Sequence, residues 1–156
     1  MPETHERGDS AFAKDAEYLR GRFHFPTPRL ELGQKLRGLA SACIDVSDGL
    51  LGDAGRLARA SGCGVSLDWE RLPISPQLVA IAGETRGREF VLAGGEDYEL
   101  CFTVAPENVA RLMQELPPSH WRYSQIGVLR EAPGAVVMRN GSVMDFSHSG
   151  FDHFAS

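Results

Sequence analysis

The stretch Ala135-Val136-Val137-Met138-Arg139-Asn140-Gly141-Ser142-Val143-Met144-Asp145-Phe146 decides between two kinds of α/β fold. Asn140-Gly141 is a strong two-residue signal for a type I′ turn, because both central positions need positive φ and these two residue types tolerate it. The flanks, 135–139 and 143–146, read as strands. Strands joined by two residues run antiparallel, which disfavours a purely parallel, doubly wound sheet.

Working upstream, helical and strand periods alternate. Residues 123–129 and 98–104 are β-rich, and between them 107–116 is helical and stopped by Pro117-Pro118. Residues 75–82 form a short helix that Ser75 can cap. Residues 65–69 alternate with period two, and 42–46 is a short buried strand. Leu50, Ala54, Leu57 and Ala58 recur at helical spacing, with Gly62 as a stop. Leu30, Leu32, Leu36 and Leu39 mark another helical face over 30–40. Residues 11–25 are helix-like and end at Pro26-Thr27-Pro28, which must be extended. Strands interleaved with helices and closed by a hairpin give an α/β (α+β) architecture, a mixed-sheet sandwich. The chain divides into a disordered leader (1–10), a connector helix and extended linker (11–28) and one domain (29–156).

The 156 residues suit a single compact domain. Sixteen Lys and Arg against 21 Asp and Glu leave a net charge of −5. That balance argues against nucleic-acid binding, which rests on clustered cations neutralising phosphates. No apolar run reaches the roughly 18 residues of a membrane span, and Met1 to Ser10 has no apolar signal region. The expected location is cytoplasmic. Three cysteines, Cys43, Cys63 and Cys101, form no C-x-x-C pair and are expected to be packed in the interior. The five histidines are scattered, with none of the helical spacing of a zinc site.

Three segments hold polar residues that simple packing would not place there. In Ile44-Asp45-Val46-Ser47-Asp48-Gly49-Leu50 a strand runs into a turn carrying two carboxylates and a hydroxyl before a helix starts. Carboxylates there can recruit a hard cation such as Mg²⁺, which takes oxygen ligands and bridges to phosphate. Two carboxylates about 4 Å apart repel by roughly 4 kcal/mol at an effective dielectric of 20, a term that a divalent ion reverses. Equally open is a structural reading, in which Ser47 or Asp48 caps the helix for about 1 kcal/mol. In Gly94-Gly95-Glu96-Asp97-Tyr98-Glu99-Leu100 the glycines permit positive φ or a close approach by a ligand; a tight turn with solvated charges is the alternative. In Gly150-Phe151-Asp152-His153-Phe154 the aromatics can cover the core or stack on a flat ring. No Walker A loop, dinucleotide fingerprint or nucleophile elbow is present.

In order and spacing these segments, together with Phe25-Pro26-Thr27-Pro28-Arg29, Leu72-Pro73-Ile74-Ser75 and the continuation to Thr103, resemble the thiamine-monophosphate kinase family. The resemblance runs from about residue 15 to the end. It implies a PurM-like C-terminal domain, shared with aminoimidazole ribonucleotide synthetase and selenophosphate synthetase, and a homodimeric complete enzyme. It further implies ATP- and Mg²⁺-dependent conversion of thiamine monophosphate to thiamine diphosphate. Asp45 and Asp48 become Mg²⁺ ligands by this resemblance, Ser47 an ATP contact, and Glu96 and Phe151 contacts to the thiamine substrate. The family's N-terminal domain, with most of its nucleotide- and metal-binding carboxylates, has no counterpart in this sequence, so half an active site is expected. The alternatives are a non-catalytic relative that binds a thiamine phosphate or a partner domain, and another PurM-like ATP-dependent synthetase.

Overall fold

A computed structural model of the chain describes residues 9–146. The hairpin forms as the Asn140-Gly141 turn dictates. Strands β5 (Ala135–Arg139) and β6 (Ser142–Met144) pair antiparallel, Val137 opposite Met144 and Arg139 opposite Ser142. Asn140 and Gly141 take φ of 50° and 78°, the two positive values of the type I′ turn.

The chain enters through helix α1 (Asp9–His24), which takes in two residues of the expected leader. An extended segment follows, then α2 (Leu30–Lys35), β1 (Ala42–Val46), α3 (Leu50–Ala60) and β2 (Gly64–Asp68). A 3-10 turn at Trp69–Arg71 leads to α4 (Pro76–Ala82), where Ser75 Oγ accepts the Leu78 N–H at 3.1 Å as the expected cap. After α5 (Glu84–Ala93) come β3 (Glu99–Thr103), α6 (Pro106–Glu115), the single turn α7 (Pro118–Trp121) and β4 (Gly127–Arg130).

The six strands among the described residues divide into two sheets. One is mixed, in the order β4-β2-β5-β6, with β2 parallel to β5 and antiparallel to β4. The other is the antiparallel pair β1-β3. Helix α3 packs on β1, β2 and β5 and so bridges the two sheets. Its Leu50, Ala54, Leu57 and Ala58 are buried, as their spacing requires. Val46, Leu50, Ala54, Val65, Leu67, Trp69, Leu92 and Val137 belong to one apolar cluster. Leu32, Leu36, Leu39, Leu112 and Leu116 make a second. Strand β3 stands between them: Cys101 packs on the first, Leu100 and Phe102 on the second. The alternation follows from the period of two in an extended strand.

Three readings of the sequence are corrected, and one helix, α5, is added to it. Residues 123–126 are not strand, because Tyr123 turns aside. Its hydroxyl donates to the Leu116 carbonyl at 2.7 Å, and its ring meets Phe102 edge-on at 5.7 Å. Helix α5 has no clear periodic signal: it starts at Gly83 without a side-chain cap, and buries only Gly87 and Leu92. Helix 30–40 is shorter than expected, since Lys35 closes it and Leu36 and Leu39 are buried in the turn that follows. Cys43 is exposed and Cys63 and Cys101 only part-buried: Cys43 and Cys101 lie on the two-stranded β1-β3 sheet, which leaves part of its surface uncovered, and Cys63 lies in the turn between α3 and β2. Among the described residues no helix is long and apolar enough to cross a membrane.

Candidate functional site

Strand β1 ends at Val46, and Ser47, Asp48 and Gly49 turn the chain into α3. Gly49, at φ 100°, is the residue at the helix N-cap, and no side chain caps there. The capping reading of Ser47 and Asp48 is therefore overturned. What organises the turn is a residue that spacing alone did not single out. Asp53 is only 1% exposed, and its Oδ2 accepts the backbone N–H groups of Ser47 at 2.8 Å and Asp48 at 3.0 Å. Its Oδ1 accepts from Arg56 Nη2, and the same nitrogen donates to Asp48 Oδ2 at 2.6 Å. Bonds to Asp48 and then Asp53 raise the Arg56 pKa further. A signal for Asp53 was present: positions 50, 53, 54 and 57 share the buried face of α3, and a carboxylate on such a face requires partners.

The double-glycine loop lies against this turn. Backbone N–H groups of Glu96 and Tyr98 donate to the carbonyls of Ser47 at 2.8 Å and Val46 at 2.9 Å, continuing the β1-β3 pairing past the end of the strands. A Cβ on Gly95 would lie 2.5 Å from the Ser47 carbonyl oxygen. The glycine thus serves close approach of two backbones. Positive φ falls instead on Glu96 (70°) and Tyr98 (50°). Such values in non-glycine residues cost of order 1–3 kcal/mol each, and here hydrogen bonds to β1 and its turn hold them. The pairing brings Asp45, Ser47, Asp48 and Glu96 into one neighbourhood.

Asp45 stands exposed on β1. Part-burial and then the Asp45 charge push the nearby Cys43 thiol up, and burial above all pushes Cys101 up to about 11, so neither is primed as a thiolate nucleophile. Glu96 is exposed, on the rim of the same loop. Asp97 reaches solvent, yet its carboxyl sits among crowded neighbours; burial, then the Glu99 charge, raise it to about 6 against the opposing pull of Arg22. Glu99, the first residue of β3, is held by Arg29 through Nε (2.8 Å) and Nη2 (2.6 Å) and by Arg22 Nη2 (2.7 Å). Sequence spacing gave no signal for this clamp, since its members lie 70 and 77 residues apart. Phe151 lies outside the described residues.

The donor set around the first turn consists of hard oxygens. Two exposed carboxylates, Asp45 and Asp48, suit a cation that keeps waters and phosphate oxygens as its other ligands. A guanidinium already sits on Asp48 as a positive stand-in. Among the described residues no group of three or more His, Cys, Asp or Glu side chains could hold a metal ion unaided.

Residues 25–140 match the family described as AIR synthase related protein, C-terminal domain. The thiamine-monophosphate kinase of Salmonella typhimurium is 41% identical over 143 residues, spanning 91% of this chain and 44% of that protein. The chain thus spans less than half the length of this relative. A crystal structure of thiamine-monophosphate kinase from Stenotrophomonas maltophilia superposes with a TM-score of 0.73 at 38% identity, over 84% of this chain and 41% of that one. AaThiL complexed with AMPPCP and TMP gives 0.67 at 30% identity, over 84% of this chain and 40% of that one. The chain belongs to the family of AIR synthase related C-terminal domains, and its likeness is to that domain as thiamine-monophosphate kinases carry it.

Proposed function

We propose that this chain forms the C-terminal half of a thiamine-monophosphate kinase site, working with ATP and Mg²⁺. The observation that carries the proposal is the hydrogen bond from the Glu96 N–H to the Ser47 carbonyl. It fastens a loop suited to the acceptor beside a turn suited to metal and phosphate. A relative complexed with AMPPCP, an ATP analogue, and TMP supports the same pairing of ligands. In the reaction the γ-phosphoryl group passes from ATP to a phosphate oxygen of thiamine monophosphate, leaving ADP and thiamine diphosphate. Phosphoryl transfer asks a protein mainly for positioning and charge neutralisation.

Asp45 and Asp48 would hold Mg²⁺, which when bound neutralises charge on the transferring phosphates. Ser47 contacts ATP, and its fixed backbone keeps the hydroxyl at the end of β1. Glu96 faces the cationic thiazolium or the aminopyrimidine of the acceptor, and Phe151 stacks against one of those flat rings. The remaining ligands come from a nucleotide-binding domain equivalent to the part of the relatives that this chain does not span. The complete assembly is a homodimer in the cytoplasm.

The test is formation of thiamine diphosphate from ATP and thiamine monophosphate. The 156-residue chain alone should give no useful rate. Fused to the portion of the Salmonella kinase that it does not match, it should restore turnover. Robust product from the chain alone would overturn the half-site reading. A folded, inactive fusion that still binds thiamine monophosphate would favour a non-catalytic binding module.

A further inference from the structure

We infer that Arg56 is a built-in counter-ion for Asp48, one that a divalent cation must displace before Asp48 can act as a metal ligand. The inference rests on the metal role proposed above for Asp45 and Asp48 and adds to it a residue that sets the affinity.

The geometry divides the work of Asp53 between its two oxygens. Oδ2 holds the N–H groups of Ser47 and Asp48 and so fixes the turn. Oδ1 anchors Arg56. Because the oxygens are separate, the bonds that fix the turn do not run through Arg56. What its guanidinium does is reach from the fully buried Asp53 outward to Asp48, whose side chain is 66% exposed. Both bonds come from the one nitrogen Nη2, which can let go of Asp48 and remain paired with Asp53.

Charge fixes the order of events. Asp48, Asp53 and Arg56 together carry one negative charge, and Asp45 on the adjoining strand adds another. In the absence of a dication, the guanidinium offsets carboxylate repulsion at the turn. A dication arriving at Asp45 and Asp48 repels the guanidinium and offers Asp48 a harder, doubly charged partner. The two cations compete for one carboxylate oxygen. Apparent metal affinity is then the intrinsic affinity reduced by the cost of breaking the Arg56–Asp48 pair. For an exposed ion pair that cost corresponds to roughly a two- to fivefold change in Kd.

The experiment uses Mn²⁺ as the probe and follows paramagnetic broadening of the amide signals of residues 45–49 in the 156-residue chain. Arg56→Gln should bind Mn²⁺ roughly two- to fivefold more tightly than the wild type, with Arg56→Lys between the two. Arg59→Gln, which removes the same charge from an exposed position on the same helix, should leave Kd nearly unchanged. If Arg56 were only a brace for the turn, its loss would weaken binding or leave it alone, and either result overturns the inference. Equal tightening by Arg59→Gln overturns it too, since general charge would then explain the effect. No broadening of 45–49 in any variant would sink the metal role of Asp45 and Asp48 itself, and the counter-ion with it.

Discussion

Arg29 grips Glu99 with two nitrogens, one on each carboxylate oxygen, at 2.8 and 2.6 Å, and Arg22 adds a third bond at 2.7 Å. Glu99 follows Tyr98, where the backbone carries positive φ, so the clamp stands at the root of the loop that presents Glu96. Helix α1, the extended segment before α2 and the start of β3 are tied at this one point.

Glu99→Gln should accordingly lower stability. Both partners are more than a third exposed, at 38% and 43%, so solvent screening limits the loss to about 0.5–1 kcal/mol. The urea midpoint of wild type and variant, taken at low and high salt, checks this. The gap should narrow as salt rises. Identical midpoints at low salt would mean the three bonds are exchanged for water without cost.

Asp97 predicts a pH slope of unusual sign for a carboxylate. Its folded pKa is raised to about 6 from an ordinary value of 3.8, so between these values the folded chain binds more protons than the unfolded one. Stability contributed by this group is therefore greatest below pH 3.8 and falls as pH rises to about 6. Contact with solvent holds the change to about 1 kcal/mol or less. Asp97→Asn should abolish the slope and be the more stable form at neutral pH. Denaturant midpoints across this range, wild type against variant, measure it; parallel curves would refute the assignment.

Asp53→Ala should be the most damaging single change near the turn. It leaves two backbone N–H groups without an acceptor and Arg56 without its anchor, a loss of about 2–3 kcal/mol. Thermal melting reads it. Asp53→Asn, which keeps one acceptor oxygen, should recover part of the loss.

How far the sequence foretold this arrangement depended on the range of the interaction involved. The hairpin at Asn140-Gly141, the Ser75 cap and the buried face of α3 are decided within a few residues, and each was legible. The glycines at 94 and 95 read as sites of positive φ or of close approach by a ligand. Gly94 instead crowds the Phe90 carbonyl of the helix before it, and Gly95 meets the Ser47 backbone, a contact that requires β1 to be known as the partner of β3. The Arg29–Glu99 pair is hidden for the same reason. Asp45, Ser47, Asp48 and Glu96 are singled out by family resemblance, segment by segment, and the adjacency of their two loops becomes visible only through the hydrogen bonds between them.

Removing either carboxylate of the first turn should separate chemistry from stability. In a complete enzyme, Asp45→Asn or Asp48→Asn should depress turnover and raise the Mg²⁺ needed for half-maximal rate. Melting temperatures should hardly move, because both side chains are exposed and such changes rarely exceed about 0.5 kcal/mol. At Asp48 the pairing with Arg56 already offsets carboxylate repulsion, so no gain in stability is expected. Normal turnover with normal magnesium dependence in either variant would remove that residue from the metal site.

Glu96→Gln and Phe151→Ala should act on the acceptor alone. In a complete enzyme each raises the KM for thiamine monophosphate and leaves that for ATP nearly unchanged. A cation–π contact of about 0.5–2 kcal/mol makes the Phe151 effect roughly two- to thirtyfold. Steady-state kinetics with each substrate varied in turn, beside a melting curve, separates this from loss of a core-covering aromatic. A selective ATP defect would put the residue on the nucleotide side.

Strands β1 and β3 pair from Ala42 with Thr103 to Val46 with Glu99. Joining them closes a chain loop of about fifty to sixty residues, whose entropic cost must be met before any contact across the pair repays it. Inside that loop lie α3, β2, α4 and α5, so the two segments meet only when much of the intervening chain is already compact. A half-folded molecule would lack the Ser47–Glu96 junction altogether. Ligand competence at this junction is therefore a late event in folding, and a bound ligand would report a molecule that has finished rather than one still on the way.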